Sequence, residues 1–237
     1  MKRRNFIQKT AASTAFISLN GLGLASCSQL TATKITILHT NDVHSHIEPF
    51  GPNDGRNANK GGVARRASLV EAIRNENPNT LLLDAGDIFQ GTPYFNFYGG
   101  ELEFKLMSLL EYDVATRGNH DFDNGIHGLY AQLPHAKFDF ISANYDFSNT
   151  VMDTHVKPYK TFVKDGIKIG VFGLGIELQG LVNKEAYKET AYLDPIEIAQ
   201  DMSRILKTEG GCNLIICLSH LGYEYKKSPS KISDIKL

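Results

Sequence analysis

Gly118-Asn119-His120-Asp121-Phe122-Asp123 comes just after the apolar run Val114-Ala115-Thr116. Asparagine, histidine and two aspartates in so few residues are too polar for the interior of a strand, and the leading glycine lets the backbone turn sharply. Alone, the stretch reads as a solvated turn. Its weight comes from repetition, because the same grammar occurs three more times. A buried strand over Lys34 to Leu38 runs into Thr40-Asn41-Asp42-Val43-His44. A strand over Thr80 to Leu83 runs into Asp84-Ala85-Gly86-Asp87. A strand over Asn213 to Leu218 runs into Ser219-His220. Each time oxygen or nitrogen ligands follow the end of a hydrophobic strand.

The spacing assigns tasks to some of these residues. Asp42 and His44 are two apart, so an extended backbone sends both side chains to one side. Asp87 follows a glycine that exposes it, whereas Asp84 braces the loop. Asp123 sits three beyond His120, in reach of an imidazole nitrogen if a helical turn begins there. His46 is left out, since a third ligand from one short stretch would crowd the site. Asp42, Asp87, His44, His220 and Asn119 together form a mixed oxygen and nitrogen set that suits Zn, Mn or Fe. The lack of thiolates argues against a structural zinc knot.

The remaining chain reads as one α/β domain. The 237 residues are 42% hydrophobic, enough for a full core. Helices are predicted from Gly61-Gly62 to about Glu76, over Phe104 to Leu110, from Leu129 to Leu133, and from Asp194-Pro195 to Gly210, the last with proline in its first position. Val156 to Val163 and Ile167 to Leu174 read as a hairpin turning at Lys164-Asp165-Gly166. Gly170-Val171-Phe172-Gly173-Leu174-Gly175 has the wrong glycine spacing for a dinucleotide-binding loop. The aromatics Phe89, Tyr94, Phe95, Phe97 and Tyr98 read as core, and Cys212 and Cys217 as small core residues without a disulfide. The polar tail ends without a stop signal, as though the chain were cut short.

Residues 1–27 are read as a segment apart from the domain at 28–237. Arg3-Arg4-Asn5-Phe6-Ile7 has the form of a twin-arginine export signal, and the apolar run after it is too short to span a bilayer. Leu24-Ala25-Ser26-Cys27 resembles a bacterial lipobox with Cys27 as the lipidated residue. The protein is thus expected in the periplasm or at the cell surface, membrane-attached only through that lipid. The signal holds Lys2, Arg3, Arg4 and Lys9 but no acidic residue, so the mature chain is more acidic than the formal net charge of −1. That balance argues against a nucleic-acid partner.

Asp42-x-His44, Gly86-Asp87-x-x-x-Gly91, Gly118-Asn119-His120-Asp121 and His220 resemble, in order and type, the calcineurin-like metallophosphoesterases. The longer stretches are similar to the bacterial 5′-nucleotidase and UDP-sugar hydrolase family in particular. The resemblance implies a sandwich of two mixed β-sheets flanked by helices, with two divalent metal ions at the strand ends. Asp42 and His44 would hold one ion, Asp87 would bridge, and Asn119 and His220 would hold the other. His120 would act on the phosphoryl group or protonate the leaving oxygen, oriented by Asp123, while a metal-bound water attacks. The substrate implied is a small phosphate ester, above all a nucleotide, though no substrate-binding residue can be named.

Two departures stand out. The family draws further ligands from a Gly-His-x-His motif after one more strand, and its nucleotidases add a C-terminal domain that holds the base. Neither is in this sequence, which leaves three other readings: a catalytically incomplete metal-binding remnant, a phosphodiesterase or UDP-sugar hydrolase with the same site, or an enzyme completed by a separate C-terminal domain protein.

Overall fold

The computed structural model describes residues 32–237, and the export and lipidation features at 1–27 lie outside them. In chain order the elements are β1 (Thr36–Thr40), α1 (Val63–Glu76), β2 (Thr80–Asp84), α2 (Pro93–Tyr98), α3 (Glu101–Leu109), β3 (Val114–Ala115), α4 (Gly125–Gln132), β4 (Asp139–Phe140), β5 (Tyr145–Asp146), β6 (Tyr159–Lys164), β7 (Ile167–Gly175), α5 (Lys184–Tyr187), β8 (Ala191–Tyr192), α6 (Pro195–Arg204) and β9 (Leu214–His220).

Strands β1, β2, β3 and β4 form a parallel sheet in that order. A second, mixed sheet has the order β6-β7-β9, and β5 pairs with β8 in a small ribbon. The alternation of side chains along β2 explains the layering. Leu81 and Leu83 face the second sheet and pack with Val114, Ile141, Ile169, Val171 and Leu218. Leu82 faces the other way, into a helix-side core with Phe89, Phe104, Phe122 and Leu129. The far side of the second sheet is closed by Ala199 and Leu206 against Phe172 and Leu174. A strand buried on both faces needs an unbroken apolar run, which Leu81-Leu82-Leu83 supplies. The expected two-sheet sandwich is present, with one of its sheets wholly parallel.

Local signals act where expected. Asp194 caps α6 by accepting from the backbone N–H groups of Ile196 and Glu197 at 2.8 and 3.2 Å. The β6–β7 hairpin closes on Asp165-Gly166, both with positive φ. Other expectations are corrected. Phe89 and Phe95 are core, but Phe97 and Tyr98 are 83% and 53% exposed, because α2 is a short surface helix with only one buried position. Cys212 is buried while Cys217 is exposed on β9, the edge strand of its sheet. The helix expected over Phe104 to Leu110 is present as α3, which begins at Glu101, and the short α2 precedes it across Gly99 and Gly100.

Candidate metal centre

Strands β1, β2 and β3 run parallel, so their carboxyl ends lie on one edge of the sheet, where α/β folds place ligands. Thr40, Asp84 and Ala115 end these strands, and the loops that follow carry Asp42, His44, Asp87, Asn119 and His120. β9 ends on His220 itself. All six of these candidate residues line one cleft of about 520 Å³. Asp123 stands directly behind His120.

The loops reach this geometry through strain rather than through an extended chain. Asp42, His44 and Asp87 have φ of 51°, 47° and 57°, the left-handed region that non-glycine residues rarely enter. The expected convergence of Asp42 and His44 therefore occurs by a different backbone route. The two loops hold each other: Asp42 N–H donates to the Gly86 carbonyl and His44 N–H to the Asp87 carbonyl, both at 3.0 Å. Gly86 and Gly118 meet back to back. A Cβ on Gly86 would lie 2.4 Å from Gly118 N, and one on Gly118 would lie 2.1 Å from Asp87 Oδ1. Only glycine permits that approach.

Asp87 is the centre of the cluster. Its Oδ1 accepts from His120 N–H at 2.8 Å. Its Oδ2 lies 3.2 Å from His220 Nε2 and 3.7 Å from His44 Nε2, which is in turn 3.8 Å from Asp42 Oδ1. Ligand atoms of Asp42, Asp87 and His220 all fall within 4.8 Å of one another. Both histidines turn Nδ1 toward a backbone carbonyl, His44 to Phe89 at 3.1 Å and His220 to Ala85 at 2.8 Å. A carbonyl accepts only from N–H, so Nδ1 carries the proton and Nε2 is aimed at the carboxylates, the usual arrangement of a metal-ligating imidazole. Two carboxylates and two imidazoles so arranged fit a divalent cation.

The electrostatics agree. Burial pushes the Asp87 carboxyl up, but the hydrogen bond and charge of His220 and the His120 N–H outweigh it and lower its pKa. Burial pulls His220 down, yet the hydrogen bond to Asp87 and its charge lift it to about 9. His120 Nδ1 pairs with Asp123 Oδ2 at 2.8 Å. For this ring too burial lowers the pKa, and the Asp123 hydrogen bond with the charges of Asp87, Asp123 and Asp121 produces a net rise.

Apart from Asp84, the contributors around this cluster had no role in the sequence reading. Asp121 is fully buried and accepts from four backbone N–H groups, those of Asp87, Ile88, Phe89 and Gly118, at 2.8–3.3 Å. Asp84 braces the loop as expected, accepting from Thr40 Oγ1 at 2.6 Å and Gly86 N–H at 2.9 Å, and burial lifts its carboxyl to about 7. Arg117 is buried with its guanidinium 3.3 Å over the Phe140 ring, and its charge is felt by Asp84 and Asp121. Asp234, from the tail read as merely polar, lines the cleft and accepts from Ser219 Oγ beside His220. A buried partner far away in sequence leaves no local pattern, which is why these were missed.

Residues 35–234 match the calcineurin-like phosphoesterase family. A snake venom 5′-nucleotidase of Crotalus adamanteus is 39% identical over 198 residues, covering 80% of this chain and 33% of that protein. The NAD 5′-nucleotidase of Haemophilus influenzae is 34% identical over 211 residues, 86% of this chain and 35% of its own. The crystal structure of a 5′-nucleotidase precursor from Thermus thermophilus superposes with a TM-score of 0.73 at 40% identity, covering 80% of this chain and 37% of that one. The chain thus spans about a third of the length of the curated relatives it matches. With the match running the length of both sheets and over every loop of the cleft, the chain belongs to the calcineurin-like phosphoesterases.

Proposed function

We propose that this chain hydrolyses phosphate esters of the 5′-nucleotide type, with two divalent cations, Zn, Mn or Fe, held by Asp42, His44, Asp87, Asn119 and His220. The observation that carries the reading is the His120–Asp123 pair set against the Asp87-centred cluster in one open cleft. When bound, the cations neutralise phosphoryl oxygens and acidify water. The chain's own residues do the rest. Asp87 supplies negative charge at the centre of the cluster and, through Oδ1, fixes the backbone of His120. Asp123 holds the His120 Nδ1 proton, which leaves Nε2 for the substrate. The Asp123 hydrogen bond and the nearby carboxylates favour the protonated ring over a free imidazole, and that proton is placed for the leaving oxygen or for charge developing on phosphorus. Export by the twin-arginine route and lipid attachment at Cys27 would put this chemistry outside the cytoplasm, on nucleotides found there.

The test is cation content of the chain prepared without residues 1–27, together with hydrolysis of a generic phosphate ester in added Mn or Zn. A panel of 5′-nucleotides, cyclic nucleotides and UDP-sugars then sorts the substrates. Two bound cations and turnover of 5′-nucleotides are expected. Cation binding without turnover of any ester would leave a metal-binding unit and overturn the hydrolase reading.

A further inference from the structure

Beneath the Asp42–His44 loop, on the side away from the cleft, lies a buried polar contact that the proposed reaction does not use. Glu103, in the first turn of α3, is 3% exposed, and its Oε1 accepts from Ser45 Oγ. Its Oε2 has no hydrogen-bond partner among the described residues. Ser45 follows His44 directly, is fully buried, and holds a left-handed φ of 57°. Its N–H donates to the Ile88 carbonyl at 2.9 Å, and Thr92 Oγ1 lies 2.8 Å from its carbonyl oxygen and 3.0 Å from its Oγ. A cavity of about 20 Å³, lined by Ser45, Glu103, Asp84 and Tyr112 among others, adjoins the pair.

A buried carboxyl with one side-chain partner is a poor way to stabilise a core, because an apolar group of the same size escapes the desolvation cost. Ser45 is held by hydrogen bonds on three sides, and the cavity beside the pair has room for about one water. The contact fixes the rotamer of Ser45 and, with the backbone bonds to Ile88 and Thr92, completes the set that holds the angle at which the adjacent His44 leaves the loop. Supporting hydrogen bonds of this kind orient metal-binding side chains.

We infer that Glu103 is a positioning residue that acts through Ser45 to aim His44 into the cation cluster. This rests on the reading of that cluster as a cation site. The test is a double-mutant cycle read as Mn²⁺ affinity and as the urea midpoint of the cation-free protein. Glu103→Met and Ser45→Ala are each expected to weaken Mn²⁺ binding about tenfold. The double variant should be no weaker than either single one, and Glu103→Gln, which keeps an acceptor for Ser45, should retain most of the affinity. The midpoint of Glu103→Met should hold or rise. Losses that multiply in the double variant, or a midpoint that falls while affinity stays constant, would overturn the positioning role. A parent protein that binds no Mn²⁺ would instead overturn the cation reading, and this inference with it.

Discussion

Asp87 and His120 are neighbours in space with separable duties, and substitution should separate them. Asp87 touches both histidines of the cluster and the His120 backbone, so Asp87→Ala should abolish cation binding and turnover together. His120→Ala removes only the proton carrier and should lower kcat by about 10²–10⁴-fold with cation content unchanged. Equal cation loss in the two variants would sink the role given to His120. His220 supplies a pH dependence. Its ring is lifted to about 9 beside Asp87, so at neutral pH a cation must displace a proton from Nε2. Affinity should therefore rise by up to about tenfold per pH unit toward pH 9, as that competing proton is lost. A flat cation titration between about pH 7 and 9 would contradict this. At this scale the sequence was informative about which residues gather, since all seven stand in short polar strings at or just after the ends of strands. It was silent on how they do so. Left-handed φ at Asp42, His44 and Asp87 follows from contacts between loops that no local pattern encodes.

Elements deliver these residues, and the delivery depends on the Asp121 clamp more than on any strand. Its carboxylate gathers three consecutive N–H groups after β2 and one before the β3-side turn, tying two loops at a single point. Asp121→Asn would keep one acceptor and turn an N–H pair toward backbone donors. With charge-assisted bonds worth about 1.5–3 kcal/mol each, a loss of at least about 3 kcal/mol is expected by urea denaturation of the cation-free protein. Asp123→Asn, at an exposed position, serves as the control and should leave the midpoint near the parent value. If the two variants unfold alike, the clamp is not what holds the loops. Elements with strong local signals were readable in advance: α6 from its Asp-Pro start, the β6–β7 hairpin from Asp165-Gly166, β2 from its apolar run. β3 is shorter than the apolar run Val114-Ala115-Thr116, because pairing with its neighbours rather than residue type ends it. Edge position is likewise decided by the assembled sheet, which is why Cys217 was misplaced.

At the scale of the whole molecule the cluster is shared between two sheets: the first carries Asp42, His44, Asp87 and Asn119, and the second brings His220 on β9. The spacing of the sandwich is therefore part of the site. Gly173, the middle glycine of the run that resembles a dinucleotide loop, explains itself here. A Cβ at that position would fall 2.3 Å from Thr116 Oγ1 and 2.7 Å from the Ile141 carbonyl oxygen, which directly follow β3 and β4 of the facing sheet. Neither can retreat easily, since Thr116 Oγ1 itself donates to that carbonyl at 2.9 Å. Gly173→Ala should thus wedge the sheets apart at a cost of about 1–3 kcal/mol. The same displacement moves His220 relative to Asp87, so cation affinity should fall as well. Gly166→Ala makes the matching control. Its Cβ meets nothing within 4 Å, and its φ of 77° disfavours any side chain, so it should lower stability through backbone strain alone. Urea midpoints and Mn²⁺ titrations on both variants decide the matter. A stability loss in both with weakened binding only in Gly173→Ala would tie the cluster to sheet spacing. Equal binding in the two would mean that the strand-end loops absorb the shift and that His220 is placed by its own turn rather than by the sandwich.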